Sequence, residues 1–272
     1  MKVVSRTDIG RVRASNQDAL LVQHREYSLY GVADGMGGHR AGDVASSMTV
    51  ELLTRLLANQ KPSENILRMA VEEVNRQVYK AQIENPDYNG MGTTLTMMWE
   101  DESTLLFAHV GDSRAYLLRN GEIRQMTEDH SLVWEMLREG AITQEEAARH
   151  PYRNVITRAI GTAETIECDI FRVEKKPGDQ WVLCSDGLTE YVTDGEIASR
   201  MLNMTMEDAA NALLLRALSL GGRDNVTLLL GEVAKGSARC WITGMNSMSS
   251  SGKAACLWCT VRRINARGIR WL

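Results

Sequence analysis

The chain has 272 residues, 44% of them hydrophobic and 24% charged, which suits a full globular core in one large domain or two small ones. A formal charge of −4 argues against a nucleic-acid binder, and no apolar run approaches the ~20 residues of a membrane span. The charge is uneven: residues 236–272 carry six basic residues and no acid, leaving 25 basic against 35 acidic residues in 1–235.

The start, Met1-Lys2-Val3-Val4, runs directly into Ser5, Arg6 and Asp8, unlike a secretory leader. The spacing of the five cysteines suggests no disulfide framework, so the expectation is a reduced, cytoplasmic protein. Residues 2–5, 19–23 and 27–33 read as strands, with a polar loop over 7–18. A helix is expected over 43–60, with Val44, Met48, Leu52 and Leu56 four apart on one face. Ser63 is placed to cap a second helix whose stripe is Leu67, Ala70, Val71, Val74, Val78 and Ala81, ended by Asn85-Pro86.

The middle is β. Runs 93–99 and 104–110 flank Asp101-Glu102, and runs 114–119 and 122–126 flank Asn120-Gly121, a two-residue hairpin signal. A helix over 131–139 follows, then a capping box from Thr143 and Glu146 opening a short helix that ends near His150-Pro151. Residues 167–173 and 180–184 are strands around Pro177-Gly178, 193–201 and 206–218 are helices, and 225–231 is a last strand. Strand runs separated by a helix pair indicate an α+β sandwich, not alternating βαβ units. The tail 236–272, basic and carrying Cys and Trp, shows neither period; Cys256 and Cys259 have zinc-like spacing, but only Cys240 is near and four ligands are wanted.

The chemistry concentrates where strands meet turns. Gly31-Val32-Ala33-Asp34-Gly35-Met36-Gly37-Gly38 ends an apolar run in an acid followed by glycines, which lets a ligand approach the backbone. Asp34 offers a carboxylate and Gly35 a bare carbonyl to a divalent cation; an ordinary Asp-Gly turn is the alternative. Acid-bearing turns recur at Asp18, Asp129, Asp186 and Asp224. Carboxylates gathered together repel unless cations join them, and oxygen-only ligands select Mg2+ or Mn2+ over zinc. Two such ions can clamp a transferring phosphoryl group. Arg13 reads by spacing alone as a solvated loop arginine, though a guanidinium also matches a phosphate.

Eight stretches in order resemble the PPM (type 2C) family of metal-dependent Ser/Thr protein phosphatases, in its bacterial form. They are Asp8-Ile9-Gly10-Arg11-Val12-Arg13-Ala14-Ser15-Asn16-Gln17-Asp18, Ala33-Asp34-Gly35-Met36-Gly37-Gly38-His39, Gly92-Thr93-Thr94, Val110-Gly111-Asp112-Ser113-Arg114, Thr127-Glu128-Asp129-His130-Ser131, Ile156-Thr157-Arg158-Ala159-Ile160-Gly161, Cys184-Ser185-Asp186-Gly187-Leu188 and Gly222-Arg223-Asp224-Asn225-Val226-Thr227. The resemblance implies a phosphatase domain over 1–235, built as a four-layer α/β/β/α sandwich of two antiparallel sheets flanked by helices. A mobile flap is implied over about 134–160, from Trp134 to Arg158. Asp34 would bridge two Mn2+ or Mg2+ ions, with the Gly35 carbonyl, Asp18, Asp186 and Asp224 completing the protein ligands. Asp129 and Asp186 would hold a weaker third ion, Arg13 the substrate phosphate, and a metal-bridging water would attack phosphorus in line. Asp112 is either an acid supporting a ligand or an ordered water, or a turn acid.

Met36 stands where some members carry a histidine, so the general acid is open between His39 and metal-bound water. His109, in an apolar strand, reads as a satisfied core histidine, and Cys184 as a small buried hydrophobe. The implied substrates are phosphorylated proteins, a Ser/Thr kinase among them. Two alternatives share the fold: a small-molecule phosphohydrolase, and a catalytically silent phosphoprotein-binding pseudo-phosphatase. The latter would usually have lost a metal acid; here every matched acid is present.

Overall fold

The computed structural model describes residues 1–37 and 41–234; His39 and the tail 236–272 lie outside the described residues. The chain opens with strands β1 (Lys2–Asp8), β2 (Asp18–Gln23) and β3 (Leu29–Met36), then helices α1 (Ala41–Leu56) and α2 (Glu64–Glu84). A 3-10 turn (Pro86–Tyr88) leads into β4 (Gly92–Thr93), β5 (Leu95–Glu100), β6 (Thr104–Val110), β7 (Arg114–Arg119) and β8 (Glu122–Gln125). Helices α3 (Leu132–Arg138) and α4 (Gln144–Arg149) precede β9 (Asp169–Glu174) and β10 (Gln180–Cys184). The chain continues through α5 (Asp186–Thr189), α6 (Asp194–Asn203) and α7 (Met206–Leu220) to β11 (Val226–Glu232).

The strands form two antiparallel sheets, one ordered β1-β11-β10-β7-β8 and one ordered β2-β3-β5-β6-β9 with β4 beside β3. Three apolar seams make four layers of them. Leu52 and Leu53 of α1 and Leu67, Val71, Val74 and Val78 of α2 pack on Leu95, Met97 and Trp99 of β5. Ile197, Met201, Leu213 and Ala217 of α6 and α7 pack on Val182 of β10 and Val226, Leu228 and Leu230 of β11. Between the sheets lie Tyr30, Val32, Met98, Phe107, Trp181, Leu183 and Leu229. Alternate residues of β5 and β11 thus point into different seams, which is why neither strand shows the polar face of a half-solvated sheet. Pairing of Lys2 with Glu232 brings the start of the first strand and the end of the last side by side.

Four local expectations shift. The α1 stripe is rotated: Ala45, Thr49, Leu52 and Leu53 are buried, while Val44, Met48 and Leu56 flank the core. Small residues at 41, 42 and 45 let this helix lie close on β3. Ser63 occupies the cap position of α2, but its side chain makes no capping bond. The expected strand 93–99 breaks at Thr94, whose hydroxyl and amide are both turned to Asp34. The one-turn α5 replaces an expected loop. The Asn120-Gly121 hairpin and the Thr143–Glu146 capping box form as read.

Candidate active site

The acids gather because two sheets end at the same place. Asp18 opens β2 and sits opposite Asp34 of β3 in register. Asp186 follows the end of β10, and Asp224 lies two residues before β11, in the other sheet. The turns interlock too tightly for side chains: a Cβ on Gly35 would lie 2.1 Å from the Gly42 carbonyl oxygen, and one on Gly187 would lie 1.9 Å from that of Asn225. Asp34 is pinned through its backbone, its N–H donating to Thr94 Oγ1 (3.0 Å) and its carbonyl accepting from Thr93 Oγ1 and Thr94 N–H (both 2.9 Å). The carboxylate is left for the cleft.

Burial and mutual repulsion push these groups toward the neutral form. Asp34 and Asp186 are held well above the ordinary carboxylate range, first by burial and then by neighbouring carboxylates. Burial raises Asp18 to about 6, against the hydrogen bond it accepts from Ser185 Oγ at 2.9 Å. One oxygen of Asp18 and one of Asp186 are buried with no hydrogen-bond partner. A buried carboxylate oxygen without a donor calls for a proton or a cation. The donors here are all hard oxygens, so the residues fit Mg2+ or Mn2+. Among the described residues no three acids, histidines or cysteines are already closed into an ion cage; the carboxylates are brought together without being drawn onto one point.

Arg13 is placed on Asp224, Nη2 donating to Oδ2 at 2.5 Å, and half of its side chain stays exposed. Asn225 locks this corner. Its Oδ1 accepts from Gln17 N–H (2.8 Å), and its Nδ2 donates to the carbonyls of Ile9 (2.9 Å) and Ser15 (3.0 Å), so the Arg13 loop is tied to the Asp224 turn. The sequence reading quoted Asn225 but gave it no role.

Asp129 has a different neighbourhood. Arg114 grips it with Nε (2.9 Å) and Nη2 (2.6 Å), and Gln125 adds a third donor. Burial works against the Arg114 charge, but the bonds and charge of Asp129 outweigh it and hold the guanidinium above its ordinary value. Asp112 is pushed up to about 6 by burial and then by the Asp129 charge. Asp112 shares its cavity with Asp129 and Asp186.

His109 is a core histidine, as read, yet it is also a link. Burial, then the neighbouring His130, lowers it to about 3. In the neutral ring Nε2 donates to the Glu128 carbonyl (2.9 Å), leaving Nδ1 to accept from Thr96 Oγ1 (2.9 Å). The Thr96 hydroxyl also faces the Ser113 carbonyl (2.8 Å), and Ser113 Oγ meets Thr94 Oγ1 (2.9 Å), which holds Asp34. A buried polar chain thus connects the Asp34 turn to the Asp129 loop. Next to it, Gly111 N–H donates to His130 Nδ1 (3.1 Å), so His130 Nε2 donates to Asp169 (3.2 Å). Cys184 is fully buried, with its thiol raised to about 12 by burial, which excludes a thiolate nucleophile.

Such a sandwich, with oxygen-only acids where its sheets converge, is the frame of a metal-dependent phosphatase. The protein phosphatase 2C model matches residues 10–219, and the chain belongs to that family. Within it the chain is a serine/threonine protein phosphatase of the bacterial PPM type. It is 43% identical over 236 residues to the serine/threonine phosphatase stp of Listeria monocytogenes, covering 84% of this chain and 94% of that one. It is 39% identical over 235 residues to the serine/threonine protein phosphatase PstP of Mycobacterium tuberculosis, covering 86% of this chain and 45% of that one. The crystal structure of Stp1 from Staphylococcus aureus superposes with TM-score 0.81 at 38% identity, over 85% of this chain and 94% of that chain. The catalytic domain of PstP in complex with two manganese ions superposes with TM-score 0.78 at 37% identity, over 86% of this chain and 98% of that chain. Nothing here favours the silent-binder alternative.

Proposed function

We propose that Asp34 is the shared ligand of a two-ion centre, with Asp18, Asp186, Asp224 and the Gly35 carbonyl as the remaining protein ligands. The observation that carries this is the pair of buried, unpartnered oxygens on Asp18 and Asp186 beside two further acids. When bound, hard divalent cations supply Lewis acidity that activates water and neutralises the ester's charge. The chain's own part is to hold the Asp34 backbone with Thr93 and Thr94 and the Asp18 carboxylate with the Ser185 hydroxyl, and to keep Arg13 at the rim. Arg13 meets the substrate phosphate by exchanging Asp224 for it. Asp129 and Asp186 serve a weaker third ion, for which Asp129 must share its oxygens with Arg114. Mn2+ and Mg2+ both suit the donor set. His39 remains the proposed general acid, with bound water as its competitor.

Residues 1–235 are proposed as the catalytic domain, with 134–160 as its flap and 236–272 as an appended tail. The proposed partners include a Ser/Thr kinase whose phosphorylation this enzyme reverses. The free, buried thiols of Cys168 and Cys184 support a reducing, cytoplasmic setting. No helix among the described residues is long and apolar enough to cross a membrane. Calorimetric titration of Mn2+ into EDTA-stripped protein tests the ligand set. Two tight equivalents are expected, both weakened in Asp34→Asn, with a separate weak phase lost in Asp129→Asn. Tight binding retained by Asp34→Asn would remove it from the centre.

A further inference from the structure

Next to the acids, the chain builds a cavity of about 360 Å³, a size that holds a small ligand or a few side chains. One wall is apolar: Val133, Trp134 and Leu137 of α3 with Ala147 of α4. Its far side is Thr189 of α5, one turn beyond Asp186. At the rim Arg153 Nη2 bonds Glu190 Oε1 at 2.7 Å, tying the segment after α4 to the end of α5. The root of this segment is fastened as well, with Leu132 N–H on the Val155 carbonyl (2.9 Å) and Thr157 N–H on that of His130 (2.8 Å).

Two features define what this cavity takes. Trp134, a residue of that wall, has a buried Nε1 with no hydrogen-bond partner among the described residues, a donor in want of an acceptor. The charges around it are already balanced or acidic. Arg114 is committed to Asp129 and Arg153 to Glu190, while Asp112 and Asp186 have no arginine. No lining arginine is left for an anionic flank, and an apolar side chain with a nearby carbonyl fits both wall and donor.

We propose that this cavity is a side-chain subsite for the phosphoprotein substrate. An apolar residue flanking the phosphorylated Ser or Thr packs against Val133, Leu137 and Ala147, and its main-chain carbonyl accepts from Trp134 Nε1. The cavity shares Asp129 and Asp186 with the acid centre, so a chain whose phosphate lies at the acids passes directly over it. The inference rests on the catalytic reading above and adds a preference: apolar flanks over acidic ones.

Phosphothreonine peptides with Leu, Lys or Asp placed in turn on either side of the phosphoresidue test it, with p-nitrophenyl phosphate as a substrate too small to reach the subsite. For the wild type, the Leu peptide is expected to show the lowest KM and the Asp peptide the highest. Trp134→Phe keeps a ring but removes the donor, and Ala147→Phe fills the space. Each should lower kcat/KM on the Leu peptide about 3- to 10-fold relative to p-nitrophenyl phosphate, at an unchanged melting temperature. Should either variant unfold, the wild type's flank preference decides. Equal KM for all three flanks, or wild-type ratios in both variants, would overturn the subsite and leave the phosphatase intact. A wild type without Mn2+-dependent p-nitrophenyl phosphate hydrolysis would overturn the catalytic reading, and the subsite with it.

Discussion

Asp34 and Asp129 are both buried acids, but their surroundings are opposite in kind. Asp34 is ringed by carboxylates, and its nearest bonds go to its backbone. Asp129 is gripped by Arg114. The first environment calls for a proton or a cation; the second carries its counter-charge within the chain. One acid of each kind sets a flank neutralised within the chain beside a centre whose own charges repel.

The largest test of this contrast is Asp34→Asn. Loss of the shared ligand should cut turnover about 1,000-fold or more, roughly 4 kcal/mol of barrier, in a Mn2+-dependent phosphopeptide assay. The same change should raise the melting temperature of the EDTA-treated protein, because it removes a repelled carboxylate. A lower melting temperature would break the comparison. Arg114→Leu should act in the other direction, destabilising by about 2–3 kcal/mol in urea titration with or without metal. That figure is discounted because over a quarter of the Arg114 side chain is exposed.

The pH response gives the third test. Asp18 and Asp112 both have folded values raised to about 6 from 3.8. The folded form therefore binds more protons than the unfolded chain between those values. Metal-free stability should be highest below about pH 4 as far as these groups go, and should fall as pH rises through 6, by about 2 kcal/mol per group. Chelated melts at pH 4.5 and 7.5 should show this, and saturating Mn2+ should flatten it. The smallest effect is expected from Thr96→Val. It breaks the chain between the two regions by removing the hydroxyl that lies between His109 Nδ1 and the Ser113 carbonyl, at about 1 kcal/mol in the same titration. If it also alters the Mn2+ dependence of turnover, the regions are coupled; if not, they are independent.

What the sequence made legible was local. The α2 stripe from Leu67 to Val78, the Asn120-Gly121 turn and the Thr143 box depend on neighbours within a few residues. The acids were legible through eight ordered stretches together, because a single Asp-Gly run also reads as an ordinary turn. The order of the sheets was not, since β1 pairs with β11 across the whole domain. The Arg13–Asp224 and Asn225 contacts span more than 200 residues. Arg114 could be read only as part of a strand, because its hold on Asp129 needs the hairpin to place residues 15 apart together. The α1 face was misjudged because large residues drew the eye, whereas the sheet accepts the small ones.

The Lys2–Glu232 pairing has a practical consequence for protein engineering. Six steps of about 3.3 Å each separate that edge from the Asp8–Val226 row beside the acids. A short linker joining Glu232 to Lys2, with new termini opened at the exposed Gly121, would yield a circular permutant. Its reporter fusions would then hang from the β7–β8 hairpin, leaving the mouth of the cleft clear.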